Sequence, residues 1–119
     1  MSTGKPISPS KGAAAEELAG RYLEARGLRI VARNFRCRGG ELDLVAREGE
    51  TLVFVEVRLR GNVRFGGAAA SIDARKQARL QLAARMYLAK FASEPACRFD
   101  AIVMRTLDPA DIEWLKDVI

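Results

Sequence analysis

The sequence lacks histidine altogether. Histidine is the usual general base near neutral pH and a common zinc ligand, so its absence excludes both roles. The two cysteines, Cys37 and Cys97, form no CxxC pair, which argues against a cysteine zinc site. Any catalysis must therefore use carboxylates, Lys, Arg, hydroxyl groups or a thiol. Two unpaired thiols are typical of a reduced, cytoplasmic protein.

Long apolar runs are also missing. No stretch approaches the roughly 20 apolar residues of a membrane span, so we expect no membrane insertion. The start of the chain is rich in Ser, Pro and Gly and has no apolar signal segment, which predicts a disordered tail at residues 1–11. Residues 12–119 have the size of one ordinary domain and contain no internal repeat.

Positive charge exceeds negative charge. Lys and Arg number 20 against 15 acidic residues, which gives a net charge of +5 and an isoelectric point near 9.7. Such a balance favours polyanionic partners such as nucleic acid or an anionic membrane surface. Aromatic residues make up only 7% of the chain, so we expect no stacking platform for single strands. Duplex or branched DNA therefore fits better as a partner.

The hydrophobic pattern predicts the element order α-β-β-β-α-β. One strand is so rich in β-branched and aromatic residues that we expect it to be central and covered on both faces. These elements predict an α/β fold with a small mixed β-sheet flanked by helices. The predicted helices are 12–27 and 72–91, the latter capped by Ser71, and the predicted strands are 28–35, 41–46, 51–59 and 98–105.

Two carboxylates do not fit an apolar core. Glu56 lies inside the most apolar strand, where an unpaired carboxylate is very costly. If Gly49 and Glu50 form a two-residue loop of type II′, counting back along the two strands places Asp43 opposite Glu56. Directly opposed residues have Cβ atoms roughly 5 Å apart. The two acids would then repel each other, unless a cation lies between them or one is protonated.

A divalent cation is the compensation that we expect for this pair. Oxygen ligands suit Mg²⁺ or Mn²⁺, and such an ion can promote phosphodiester hydrolysis without histidine. The first helix offers a third acid, because Glu16 lies at the edge of its apolar stripe whereas Glu17 lies on the solvent side. An acid in the first turns of a helix can also serve only the helix dipole.

Arg58 lies two residues beyond Glu56 and therefore points to the same face of the sheet. In the predicted hairpin it lies opposite Glu41, so a cross-strand ion pair is one interpretation of this arginine. The other interpretation is that its charge steadies a scissile phosphate beside the cation. The two interpretations are compatible.

Four segments of the chain read EELAGRYLEARG, RNFRCRGGELDLVAREGETLVFVEVRLR, KQARLQLAARMYL and CRFDAIV. Together they resemble the YraN-type family of proposed bacterial endonucleases, which is similar to archaeal Holliday junction resolvases of the PD-(D/E)xK superfamily. The resemblance covers nearly the whole chain after residue 11. Its most specific part is the pair formed by ELDLV and LVFVEV.

The resemblance implies a restriction-endonuclease-like core and a DNA endonuclease activity that depends on Mg²⁺ or Mn²⁺. It implies that Asp43 and Glu56 are metal ligands, with the backbone carbonyl of Val57 as a third. Glu16 matches the glutamate on the family's first helix and joins the predicted ligands. Arg58 completes the predicted catalytic set.

One residue departs from the superfamily pattern, which has lysine where this chain has Arg58. Lysine can orient or help to deprotonate the attacking water, whereas arginine stays protonated and can only stabilise charge. Lys76 is the candidate replacement, because it falls within the apolar stripe of the second helix. The alternative is that Lys76 only extends along that face towards water.

Basic residues are expected to ring the carboxylate site and to contact phosphates. A solvated basic face is the alternative, and it would leave the fold as a protein-interaction domain. The change at Arg58 suggests a further alternative, a non-catalytic nucleic-acid-binding module on a degenerate nuclease fold. Symmetric cutting of a junction would require a homodimer. The predicted DNA contacts are Arg36, Arg38, Arg60, Arg64, Arg75, Lys76 and Arg79.

Overall fold

The computed structural model describes residues 11–59 and 72–119. It confirms the predicted mixed α/β fold and its element order, and it adds a fifth strand where the sequence indicated only a segment packed on the sheet. The elements are α1 (Lys11–Ala25), β1 (Arg29–Cys37), β2 (Gly40–Glu48), β3 (Thr51–Leu59), α2 (Ala74–Leu88), β4 (Cys97–Met104), a short 3₁₀ helix (Pro109–Asp111) and β5 (Ile112–Leu115).

The five strands form one sheet in the order β1-β2-β3-β4-β5. The first three strands are antiparallel neighbours, β3 and β4 are parallel, and β5 returns antiparallel to β4. A parallel pair cannot be joined by a tight turn, so the chain crosses over through α2 between β3 and β4. This crossover brings α2 back onto the sheet beside the strands that precede it.

The core has two layers because each face of the sheet is covered by one helix. Val53 and Val55 of β3 pack in the cluster that contains Leu23 of α1. Leu52 and Phe54 pack on the opposite face in the cluster of α2, which includes Leu80 and Tyr87. This alternation confirms that β3 is a central strand buried on both faces.

The β2–β3 hairpin has the predicted register. Its Cα partners run from Glu48 and Thr51 to Leu44 and Val55. Gly49 has a φ of 61°, the left-handed conformation that the first loop position of a type II′ turn requires. The register therefore follows from a loop glycine and from the apolar pattern of two strands.

The second helix is shorter than predicted, and its cap is a different residue. Ser71 lies outside the described residues, and the observed N-cap is Asp73, whose Oδ1 accepts a hydrogen bond of 2.8 Å from the backbone N–H of Lys76. Ile72 is buried ahead of the helix, and the predicted last turn is lost because the helix ends at Leu88. The apolar pattern of the sequence continues beyond both ends of the helix, which explains why its predicted length was too great.

Asp100 is a buried acid that the sequence analysis did not single out. Its carboxylate accepts hydrogen bonds from Trp114 Nε1 (2.9 Å), from the backbone N–H of Asp117 (2.9 Å) and from Arg98 Nε (3.0 Å). Arg98 also forms an ion pair of 2.6 Å with Glu48. These bonds fix the end of the chain to β4, so Asp100 has a structural role.

The predicted disordered tail and the expected lack of membrane insertion can be compared with the described residues. The predicted tail at 1–11 lies outside the described residues, apart from Lys11, which begins α1. No helix among residues 11–59 and 72–119 combines the length and the apolar character that a membrane crossing needs.

Gly40 marks the closest approach of α2 to the sheet, and it supplies a test of this packing. A Cβ at Gly40 would collide with the backbone carbonyl oxygen of Arg79 and lie 3.1 Å from Ala83 N. We expect Gly40→Ala to lower the free energy of unfolding by about 1–3 kcal/mol, because backbone cannot move aside as a side chain can. Urea unfolding followed by circular dichroism measures this loss.

The matched control is Gly20→Ala on α1. A Cβ there would meet only the guanidinium of Arg33, at 3.1 Å, which is the far end of a flexible side chain. Alanine is also favoured over glycine inside a helix by roughly 0.5–1 kcal/mol. The packing argument is wrong if both variants lose the same stability.

Candidate active site

Asp43 lies where the regular pairing of β2 and β3 gives way to a side-chain contact. The register extends to Leu44 and Val55. One residue further, Oδ2 of Asp43 accepts a hydrogen bond of 2.9 Å from the backbone N–H of Val57. The Asp43 carboxylate is therefore held between the two strands.

Glu56 is almost fully buried, with 3% of its surface exposed. By alternation along β3 it shares the α2 face with Phe54. Its Oε2 atom lies 3.1 Å from Lys76 Nζ and 3.1 Å from Arg58 Nε. Two cations from two elements thus compensate the charge of one buried oxygen.

The pKa of Asp43 responds to the charge of Glu56. Burial raises the pKa of Asp43 from 3.8 to about 6, and the negative charge of Glu56 is the second cause. The hydrogen bond from Val57 and the charge of Lys76 act in the opposite direction. This influence of Glu56 on the pKa of Asp43 agrees with the expected proximity of two carboxylates from adjacent strands.

Glu16 faces the same region from α1. Burial raises the pKa of Glu16, and the charge of Asp43 raises it further, whereas a hydrogen bond with the side chain of Asn34 lowers it. Glu17, by contrast, forms an exposed ion pair of 3.0 Å with Arg21. The helical stripe therefore distinguished the two glutamates correctly.

Asn34 is the residue near the site that the sequence analysis missed. Its φ of 52° is left-handed, a conformation that asparagine tolerates better than most residues. The flanking partners Arg33–Leu44 and Phe35–Leu42 place it opposite Asp43. An asparagine inside the β-forming run VARNF was the available signal, since asparagine is depleted in strands.

The site offers oxygen donors that fit a hard cation. Mg²⁺ commonly takes one or two protein carboxylates and completes its shell with water, and Asp43 with Glu56 meets that requirement. The carbonyl of Val57 stays the predicted third donor. Within the two described ranges, no group of three or more His, Cys, Asp or Glu side chains is arranged to hold a metal ion. Glu16 therefore remains a predicted ligand, and a hydrogen bond with the side chain of Asn34 lowers its pKa.

The predicted basic residues differ in exposure and in their ion-pair partners. Arg36 lies opposite Glu41 and forms an exposed ion pair of 3.2 Å with it, whereas Arg58 is paired with Glu56. Lys76 is partly buried. Those that are exposed are Arg36, Arg38, Arg75 and Arg79, and those that lie outside the described residues are Arg60 and Arg64.

The raised pKa of Asp43 predicts an unusual pH dependence of stability. The folded state binds this proton more tightly than the unfolded state, so the free energy of unfolding falls as the pH rises from about 4 to about 6. Asn cannot ionise, and its side-chain oxygen can still accept from Val57 N–H. We expect Asp43→Asn to be more stable than the native chain above pH 7 by about 1–3 kcal/mol, a gain that vanishes near pH 4.

The measurement is urea unfolding in EDTA at about pH 4.5 and about pH 7.5, where the two protonation states of Asp43 dominate. Fluorescence of Trp114, the single tryptophan, reports the transition. Glu113→Gln on β5 is the control, because Glu113 is exposed. Parallel pH profiles for Asp43→Asn and the native chain would contradict the argument.

Comparison with known proteins identifies relatives over most of the chain. The model of UPF0102, an uncharacterised protein family, matches residues 15–104. A UPF0102 protein of Methylobacillus flagellatus is 54% identical over 87% of this chain and 90% of its own length. One from Ralstonia pickettii is 52% identical over 98% and 95%, and one from Janthinobacterium sp. is 50% identical over 91% and 85%. The chain therefore belongs to the UPF0102 family, in agreement with the YraN-type resemblance of its sequence.

Proposed function

We propose that the chain is a metal-dependent DNA endonuclease whose centre is the pair Asp43 and Glu56. One observation carries the proposal: the register of β2 and β3 runs to Leu44 and Val55, the residues next to Asp43 and to the buried Glu56, and the charge of Glu56 contributes to raising the pKa of Asp43. Such an arrangement is unfavourable for the fold, so it is expected where function requires it. The acids are also the two that the sequence pattern singled out.

Asp43, Glu56 and the carbonyl of Val57 would hold Mg²⁺ or Mn²⁺. When bound, the ion would polarise a phosphate oxygen and lower the pKa of a coordinated water. Within the chain, the backbone N–H of Val57 donates a hydrogen bond to the Asp43 carboxylate, and Lys76 and Arg58 form ion pairs with that of Glu56. Both acids are therefore held in place before any ligand arrives.

The reaction is hydrolysis of a phosphodiester bond. The oxygen of water bonds to phosphorus, and one bond from phosphorus to a sugar oxygen breaks. One proton of the water ends on the leaving sugar oxygen, and the other is released when the new phosphate monoester ionises. Arg58 stays protonated, so its role in this scheme is to stabilise negative charge on the phosphate.

DNA is the substrate that the surface charge favours. Exposed Arg38, Arg75 and Arg79 can contact phosphates without reading sequence, which suits duplex or branched DNA. A homodimer would allow two symmetric cuts. The free thiols of Cys37 and Cys97 are compatible with a cytoplasmic location.

A second function is favoured by the ion pairs of Glu56. Lys76 and Arg58 neutralise this carboxylate with two ion pairs of 3.1 Å. A nuclease fold that has lost its cation would need such a replacement. The chain would then be a nucleic-acid-binding module without catalysis.

Incubation of the purified protein with labelled branched and linear DNA tests the main proposal. We expect cutting with Mg²⁺ or Mn²⁺ and none with EDTA. Asp43→Asn and Glu56→Gln should each lower kcat by about 100-fold or more, because each removes a charged ligand. Glu113→Gln, an exposed acid exchanged in the same way, should cut like the native protein.

Three outcomes separate the candidate functions. Metal-independent cutting, or equal cutting by Asp43→Asn, overturns the nuclease proposal. DNA binding with steep salt dependence but no cutting in any metal supports the non-catalytic module. No affinity for DNA at low salt overturns both functions.

A further inference from the structure

We propose that Lys76, carried by α2, is the lysine that orients the attacking water, in place of the residue at position 58 on β3. The inference rests on the proposed nuclease function and names a residue that acts at the same centre. The basis of the inference is that two cations contact the same oxygen: Lys76 Nζ and Arg58 Nε both lie 3.1 Å from Oε2 of Glu56. The ammonium from the helix thus reaches the carboxylate that β3 presents.

The helix fixes the position of Lys76 through its neighbours. Ile72 and Leu80 are buried on the α2 face, and Lys76 lies four residues from each, on the same side. Asp73 accepts a hydrogen bond from the backbone N–H of Lys76, which anchors the first turn. The side chain is directed to the site by this packing, since its ammonium lies against a buried carboxylate and only 30% of the side chain is exposed.

The two cations differ in what they can do at the site. The guanidinium of Arg58 is planar and has several donors in a fixed fork, which suits the oxygens of a phosphate. The ammonium of Lys76 is compact and has three rotating donors, one of which can reach a water molecule beside Glu56 while another stays on the carboxylate. The charge of Lys76 also lowers the pKa of Asp43, so its influence reaches both acids. Lys76 therefore orients the water, and Arg58 contacts the phosphate.

Moving the lysine from position 76 to position 58 tests whether Lys76 and Arg58 have these separate roles. Lys76→Ala should lower kcat on DNA by about 100-fold with little change in KM, because a lost orienting contact affects the reaction more than binding. The double variant Lys76→Ala/Arg58→Lys should regain most of the lost kcat, since β3 then carries the ammonium. A purely structural Lys76 would not be rescued in this way.

Arg85→Ala is the matched control. Arg85 lies on the same helix and is exposed, so the variant has the same change in net charge without touching the site. We expect native kcat and KM for it. Circular dichroism confirms that each variant is folded before its kinetics are compared.

Mn²⁺ binding measured by calorimetry gives a second readout that needs no cutting. Lys76→Ala should bind Mn²⁺ severalfold more tightly than the native chain, because a cation that competes for Glu56 has been removed. Arg85→Ala should bind it as the native chain does. Equal Mn²⁺ affinity in Lys76→Ala and the native chain would overturn the placement of Lys76 at the metal-binding carboxylate.

The outcomes distinguish this inference from the proposed function. A native protein that cuts, together with a Lys76→Ala variant that cuts equally well, overturns the role of Lys76 and leaves the nuclease function standing. A folded double variant that stays inactive likewise overturns the relocation argument. A native protein that cuts no DNA in any metal overturns the proposed function and, with it, this role.

Discussion

The repulsion between Asp43 and Glu56 is the constraint on which the site depends. A carboxylate inside the central strand of a sheet loses its hydration, and a second carboxylate on the next strand adds a like charge. The fold accepts this because the opposing groups are specific: a backbone N–H for Asp43, and an ammonium with a guanidinium for Glu56. The hydrogen bond from Val57 also orients Oδ2 of Asp43, whereas both cations lie at the same oxygen of Glu56.

The same repulsion explains why the site needs several elements. The hairpin of β2 and β3 brings the acids together, but it cannot neutralise them with its own backbone. Helix α2 contributes Lys76 from one face, and α1 contributes Glu16, which lies near Asp43. The sheet therefore presents both acids and one counter-charge, Arg58, whereas α2 adds a second cation and α1 adds a further acid.

The sequence predicted the parts of the structure that depend on local pattern. The hairpin register followed from Gly49 and the alternation of two strands, and the stripe of α1 separated Glu16 from Glu17. The left-handed Asn34 was not predicted, because only the packing of neighbouring strands selects that conformation. The bonds of Asp100 were missed for a similar reason, since they join parts of the chain that are distant in sequence. The hydrophobic pattern of a sequence thus predicts which face of a helix or strand a residue lies on, but it does not predict which residue it contacts.

Chain order gives the location of Lys76 a consequence for synthesis. The hairpin with both acids leaves the ribosome before α2, which follows β3 in the chain. Until α2 packs onto the sheet, Glu56 lacks the ammonium that later lies beside it, and water must screen its charge instead. Docking of α2 therefore supplies apolar burial through Leu80 and a counter-charge through Lys76 at the same moment. Covering one face of the sheet and balancing the charge of Glu56 are thus coupled in the nascent protein, ahead of the core residues that β4 adds later.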